Sequence, residues 1–138
     1  MAIFQATKVS SSTEQMPGIG DGQSAKCVAS SYTFAAAPAL NDVIQSGLIQ
    51  AGSVIVDVTV VQSGLGASGA FSVGYTGSPA YFSAAAAAVT GGIRRADAAT
   101  ARPLVLTTND TVDVTITAAG ATAAGTVDII VWFLPRNA

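Results

Sequence analysis

Apolar and polar residues alternate with a period of two along much of this chain. From Ser53 to Val61 the order SVIVDVTVV puts Val54, Val56, Val58 and Val60 on one side and Ile55, Asp57, Thr59 and Val61 on the other. In the run FSVGY, Phe71, Val73 and Tyr75 share a side, opposite Ser72, Gly74 and Thr76. Side chains alternate faces along a strand, so the two runs, joined by a Gly- and Ser-rich loop, predict a β-hairpin with one apolar face. A lone hairpin is marginal in water, and a second sheet has to cover it.

The rest of the chain supplies that sheet. Lys26–Ala36 reads as a strand, with Val28, Tyr32 and Phe34 on one parity, ending at Pro38. Asn41–Gln50 is a weaker run, and its mixed parity around Gly47 predicts a bulge or bend. Leu104–Thr107 is a short strand before the turn Thr107–Asp110. Thr111–Thr117 alternates cleanly, with Val112, Val114 and Ile116 inward and Thr111, Asp113, Thr115 and Thr117 outward. Thr126–Leu134 is the last strand, closed by Pro135.

Two stretches depart from the strand pattern. Ser78–Val89, SPAYFSAAAAAV, predicts a short helix: Ser suits the cap, Pro the first turn and Ala the interior, with Gly91–Gly92 as the stop. Residues 1–24 read as an N-terminal arm and loop. Ala2–Val9 alternates loosely, and Ser10–Ser24 carries serines, Pro17, Gly18, Gly20 and Gly22. The expected fold is therefore all-β: an antiparallel, jelly-roll-like β-sandwich over residues 25–138, with one short Ala-rich helix between strands.

The last strand is apolar on both sides. Val127, Ile129, Val131 and Phe133 line one face, and Ile130, Trp132 and Leu134 the other. Such a strand must be covered on both faces, because each large side chain left exposed forgoes roughly 1.5–3 kcal/mol. The N-terminal arm, the Ala-rich helix or another subunit has to cover the second face. Ile3 and Phe4 of the arm, with Ile130, Trp132 and Leu134, are the candidate contact residues.

Composition points the same way. Of 138 residues half are hydrophobic and only 10% charged, against about 25% charged in ordinary soluble domains. A surface so poor in charge favours association with other chains. The net charge is −2 and the largest basic cluster is Arg94–Arg95, which argues against nucleic-acid binding, where a basic footprint supplies most of the affinity. No apolar run approaches the ~20 residues of a membrane span, and the N-terminus lacks the pattern of a secretory signal. Synthesis in the cytoplasm is expected, with no membrane partner.

Catalytic chemistry finds little support. The chain has no histidine and one cysteine, Cys27, which removes histidine-based triads, histidine metal sites and disulfide frameworks together. Cys27 is expected to be a small buried hydrophobe. Gly64–Gly69 matches GxGxxG, but a dinucleotide fingerprint must open a helix and a strand follows here. Asp110 and Asp113 read as a turn residue and a solvent-face residue rather than as calcium ligands. The aromatics Tyr32, Tyr75, Tyr81, Phe82 and Trp132 read as core rather than as a sugar platform. No enzyme activity, catalytic residue, cofactor or metal is expected.

Asn41-Asp42-Val43-Ile44-Gln45, Leu48, Ala51–Asp57, Val73-Gly74-Tyr75, Gly91-Gly92-Ile93 and Thr108-Asn109-Asp110 together resemble the small virion structural proteins of tailed bacteriophages that decorate or cement the capsid. The resemblance spans roughly Asn41 to Phe133 and departs at Ile49-Gln50, where a Pro is expected before the Ala-Gly turn. It implies a homo-oligomer, a trimer rather than a dimer, bound through the major capsid protein to the outer surface of the head and stabilising the shell. Asp57 would pair with Arg94 or Arg95. A tail or baseplate protein and a carbohydrate-binding jelly-roll module are the alternatives.

Overall fold

The computed structural model describes residues 25–135, and every regular element among them is a strand. In chain order they are β1 (Lys26–Thr33), β2 (Val43–Gln45), β3 (Val54–Gln62), β4 (Ala70–Tyr75), β5 (Ser78–Ala87), β6 (Gly92–Arg95), β7 (Leu104–Val105), β8 (Asp113–Ala118) and β9 (Thr126–Leu134). They build two antiparallel sheets. The first runs β1-β9-β3-β6, with β7 also paired to β3; the second runs β2-β8-β4-β5. β1 to β4 alternate between the sheets, as do β8 and β9, so most neighbours in space are distant in sequence.

One hydrophobic cluster joins the two sheets. From the first sheet come Ile55, Val58 and Val60 of β3 and Val127, Ile129 and Val131 of β9, all essentially without solvent contact. Phe71 and Val73 of β4 and Val114 and Ile116 of β8 face them from the second. The continuous inward apolar stripes of β8 and β9 drive this arrangement, Val114 and Ile116 on one and Val127, Ile129 and Val131 on the other. β3 does so only after a correction. A bulge falls at Val56, between the pairs Ile55↔Phe133 and Asp57↔Trp132. It reverses the parity, so Ile55 points inward before it and Val58 and Val60 after it, while Val56 stands 42% exposed.

The expected hairpin between β3 and β4 does not form. The two strands lie in different sheets, and Ser63–Gly69 carries the chain across the end of the core. Leu65 plugs that end: it is fully buried, its N–H donates to the Ala88 carbonyl at 2.8 Å, and its own carbonyl accepts the N–H groups of Ala121 and Thr122. The Gln62 amide braces the same corner, donating to the Thr90 carbonyl at 2.9 Å and accepting from the Gly64 N–H. A packed glycine loop replaces the projecting tip that the sequence suggests.

The helix expected over Ser78–Val89 is also absent, and Ser78–Ala87 is β5. Helix propensity separates Ala from ordinary residues by at most ~0.7 kcal/mol per position, which tertiary pairing overrides. Here the turn Thr76-Gly77, with Gly77 at φ 84°, returns the chain onto β4 in the pairs Tyr75↔Ser78, Val73↔Ser83 and Phe71↔Ala86. Strand geometry buries Phe82 in the common core. At Gly74 the backbone of β5 leaves no room for a side chain. A Cβ there would fall on the Ser78 carbonyl oxygen and 2.5 Å from the Pro79 carbonyl carbon.

Asp113 departs from its expected solvent position. It opens β8 and is buried, accepting a hydrogen bond from the Thr111 hydroxyl at 2.6 Å. Burial pushes its carboxyl above the usual carboxylate range; the Thr111 bond opposes this and the nearby Asp110 charge adds to it.

Two outcomes follow from these contacts. Gly74→Ala is expected to lower the thermal midpoint by several degrees in circular dichroism, corresponding to about 1–3 kcal/mol of overpacking. For Asp113 the native state takes up its proton more readily than the unfolded chain does. Its stabilising contribution is therefore complete below the unfolded value, about pH 4, and is lost as pH rises through the native value. Asp113→Asn should gain stability relative to wild type as pH is raised from about 4 to 7; a pH-independent difference between their denaturation midpoints would contradict this.

Candidate assembly surface

The outward face of the first sheet follows from its register. Since Val127, Ile129 and Val131 point into the core, Asp128, Ile130, Trp132 and Leu134 point away from it. Cross-strand pairing then sets the rows of this face. Trp132 stands between Cys27 and Asp57, Ile130 between Ala29 and Thr59, and Asp128 between Ser31 and Val61. Leu134 pairs with Val54, which pairs in turn with Val105 of β7, and Val61 pairs with Ile93 of β6.

Apolar side chains therefore extend across the sheet. Trp132 is 44% exposed, Val105 58% and Ile93 69%, with Ile130, Leu134, Val54 and Val61 half-buried between them. Polar groups interrupt the face: the Ser31 hydroxyl donates to the Asp128 carboxylate at 2.5 Å, and Arg95 lies next to Thr59. Ile130, Trp132 and Leu134 thus share one face, as their parity requires. Ile3 and Phe4 lie outside the described residues, as does the rest of the 1–24 arm. The Ala-rich segment gives this face no cover, because β5 belongs to the other sheet.

The sequence reading missed Ile93, Val54 and Val105 as members of the face. β6 and β7 are four and two residues long, too short for a period-two signal. Cys27 is exposed beside Trp132, not buried as expected, because β1 is an edge strand.

The two long margins between the sheets differ. At the β5–β6 margin Arg94 crosses from one sheet to the other. Its guanidinium lies 3.8 Å from the Phe71 ring centroid and donates to the carbonyls of Phe71, Ala86 and Ala87 at 2.6, 3.0 and 3.2 Å. The chain after β6 then bonds the edge of β5, with Asp97 and Ala98 N–H groups on the Phe82 carbonyl and the Thr100 hydroxyl on that of Tyr81. Burial lowers the Arg94 pKa, and the Asp97 charge partly offsets this. The pairing expected between Asp57 and Arg94 or Arg95 is not formed: Arg94 is spent on carbonyls, and the Asp57 carboxylate accepts from the Val58 N–H at 2.8 Å.

At the β1–β2 margin a cleft of about 390 Å³ stays open, lined by Ser30, Tyr32 and Phe34 from one side and Asp42, Val43 and Gln45 from the other. Tyr32 is 47% exposed and packs edge-on to Phe34 at 5.1 Å. Register puts Tyr32 on the inward side of β1, level with Val127, and Trp132 on the outward side of β9. These two exposed aromatics therefore do not converge on one sugar platform. Tyr75, Tyr81 and Phe82 pack edge-to-face among themselves, at 5.3 and 5.0 Å. Asp110 accepts from the Thr76 hydroxyl and the Thr111 N–H. Among the described residues no group of three metal-ligating side chains is assembled, and no helix is long and apolar enough to cross a membrane.

No protein-family model and no curated protein matches the sequence. Solved structures do match the fold. A chain of the cyanophage Pam1 capsid asymmetric unit superposes with a TM-score of 0.77 at 21% identity, covering 99% of this chain and 100% of that one. A chain in the capsid of Ralstonia phage GP4 gives 0.68 at 19% identity, over 92% of this chain and 94% of that one. A third, from the acidic stable capsid structure of Helicobacter pylori bacteriophage KHP30, gives 0.60 at 18% identity, over 81% and 89%. This chain shares its fold with chains found in phage capsids.

If the outward face is a contact surface, its apolar side chains are dispensable for folding. Ile93→Ser combined with Trp132→Ser should shift the denaturation midpoint of dissociated protein by no more than the ~0.5 kcal/mol per site typical of surface changes, while reducing self-association in sedimentation velocity.

Proposed function

We propose that this protein is a structural component of a tailed-phage virion, a cement protein that binds the outer surface of the head. The observation that carries this reading is the match, over nearly their whole lengths, to three chains from phage capsid structures. Because those chains are covered at 100%, 94% and 89%, each is a small chain of about this size rather than a domain of a large one. A small separate chain beside a shell fits a protein added to it. The strand orders β1-β9-β3-β6 and β2-β8-β4-β5 support a jelly-roll sandwich, whose two sheets leave broad faces for contact.

The mechanism is mechanical. The chain has an accessible surface of 8177 Å², and a standard contact takes about 800 Å² per partner. Sister subunits and the major capsid protein can be engaged together, and repetition over the shell multiplies weak contacts into avidity. The apolar outer face, including Ile130, Trp132 and Leu134, serves subunit contacts, and Ile3 and Phe4 extend them. No step requires a catalytic group or a cofactor.

Purified protein is expected to be a trimer by light scattering at micromolar concentration and to bind heads that lack it, raising their thermal rupture temperature. Gold-labelled antibody should decorate the head. Label confined to the tail would move the protein to the tail or baseplate, and a monomer without affinity for heads would overturn the reading.

A further inference from the structure

We propose that the open edge of β1 receives residues Ala2–Val9 of a neighbouring copy as an added strand, an inference that rests on the assembly reading above. The contrast between the two margins motivates it. β5 has its outer edge bonded at Tyr81 and Phe82 by the chain after β6 and at Ala86 and Ala87 by Arg94. All eight residues of β1 pair with β9 on one side, without a bulge. On its other side, among the described residues, the contact is the Gly47 N–H on the Ser30 hydroxyl at 2.9 Å, and no backbone group of β1 is bonded there.

A long, flat, unpaired edge is a template for another strand, and proteins normally blunt it with charge, proline or a bulge. β1, KCVASSYT, carries only Lys26, at its first position. Among the described residues the other edges without a further strand, β2, β6 and β7, are three, four and two residues long. Backbone pairing supplies affinity in strand addition, and alternate side chains reach pockets beside it. The open cleft by Tyr32 and Phe34 lies on the inward side of this same edge.

Chain length selects the occupant. Ala2–Val9, AIFQATKV, has eight residues that alternate loosely, and it precedes β1 through the fifteen residues of Ser10–Ser24 and Ala25. A tight hairpin back onto its own β1 would use a loop of about 2–5 residues, much shorter than this linker. Fifteen residues reach up to about 50 Å when extended, the scale of a neighbouring subunit. Exchange of an identical segment between copies also satisfies ring symmetry with one repeated contact.

Cys27, the one cysteine of the chain and exposed on β1, makes the test direct. Opposed residues on paired strands have Cα atoms about 4.5–5.5 Å apart, within the range a disulfide spans. Single cysteines are placed in turn from Ile3 to Lys8 in a Cys27→Ser background. Each variant is refolded together with wild-type protein and oxidised. Disulfide-linked dimer, severalfold more abundant at the one position opposed to Cys27 and falling away on either side of it, is the expected result. Equal yields along the segment, or none, would overturn strand addition. The same cysteines placed in chains that keep Cys27 report the other topology: a linked monomer without dimer overturns delivery from a neighbour. Head binding measured on the same preparations keeps the two proposals apart, since a protein that binds heads without cross-linking retains its cement role and loses only this strand.

Discussion

The double pairing of β9 governs this molecule. Bonded to β1 on one edge and β3 on the other, it sends Val127, Ile129 and Val131 into the core with no solvent exposure. The second sheet is then held against it by apolar contact from Phe71, Val73, Val114 and Ile116. Each of these side chains contributes roughly 1.5–3 kcal/mol on burial, on the scale of the whole net stability of a domain, about 5–15 kcal/mol. The same strand carries Ile130, Trp132 and Leu134 outward, so the element that makes the core also makes the apolar outer face. Core and outer face are therefore joined in one strand with no hinge between them.

The parts of the fold legible in the sequence are those where a single physical effect dominates. β8 and β9 each carry an unbroken inward apolar stripe, and those inward residues came out as the pattern demands. Where two effects compete, local pattern misleads. At Ser78–Ala87 the helix preference of alanine is small beside pairing with β4 and burial of Phe82. At Val56 one inserted residue reverses the face of a strand without altering its composition. Between Ser53–Val61 and Phe71–Tyr75 the turn signals are genuine, yet the chain crosses to the other sheet, because Leu65 gains more by plugging the core than a hairpin tip would gain in water. Strand pairing between distant segments leaves no local trace.

The candidate surface was legible to a similar degree. A strand apolar on both faces announces that something covers the second, and Ile130, Trp132 and Leu134 were placed by parity alone. Ile93, Val54 and Val105 join them only through register, which depends on partners far along the chain. The contrast between a sealed and an open margin was not legible at all. Arg94 reads as one half of a basic pair, and only the close approach of β5 and β6 turns it into a clasp on three carbonyls and an aromatic ring.

The pairing of β1 with β9 also has a temporal side. Ser31 and its hydrogen-bonded partner Asp128 are 97 positions apart, and β9 is the last strand among the described residues. During synthesis β1 emerges long before β9 and lacks that partner until those later residues have left the ribosome. Folds built from such distant pairings close slowly, because the entropy of a long loop is lost before the contacts are gained. The first sheet can therefore close only once β9 has been made, which separates in time the making of its edge strand from the pairing that fixes it.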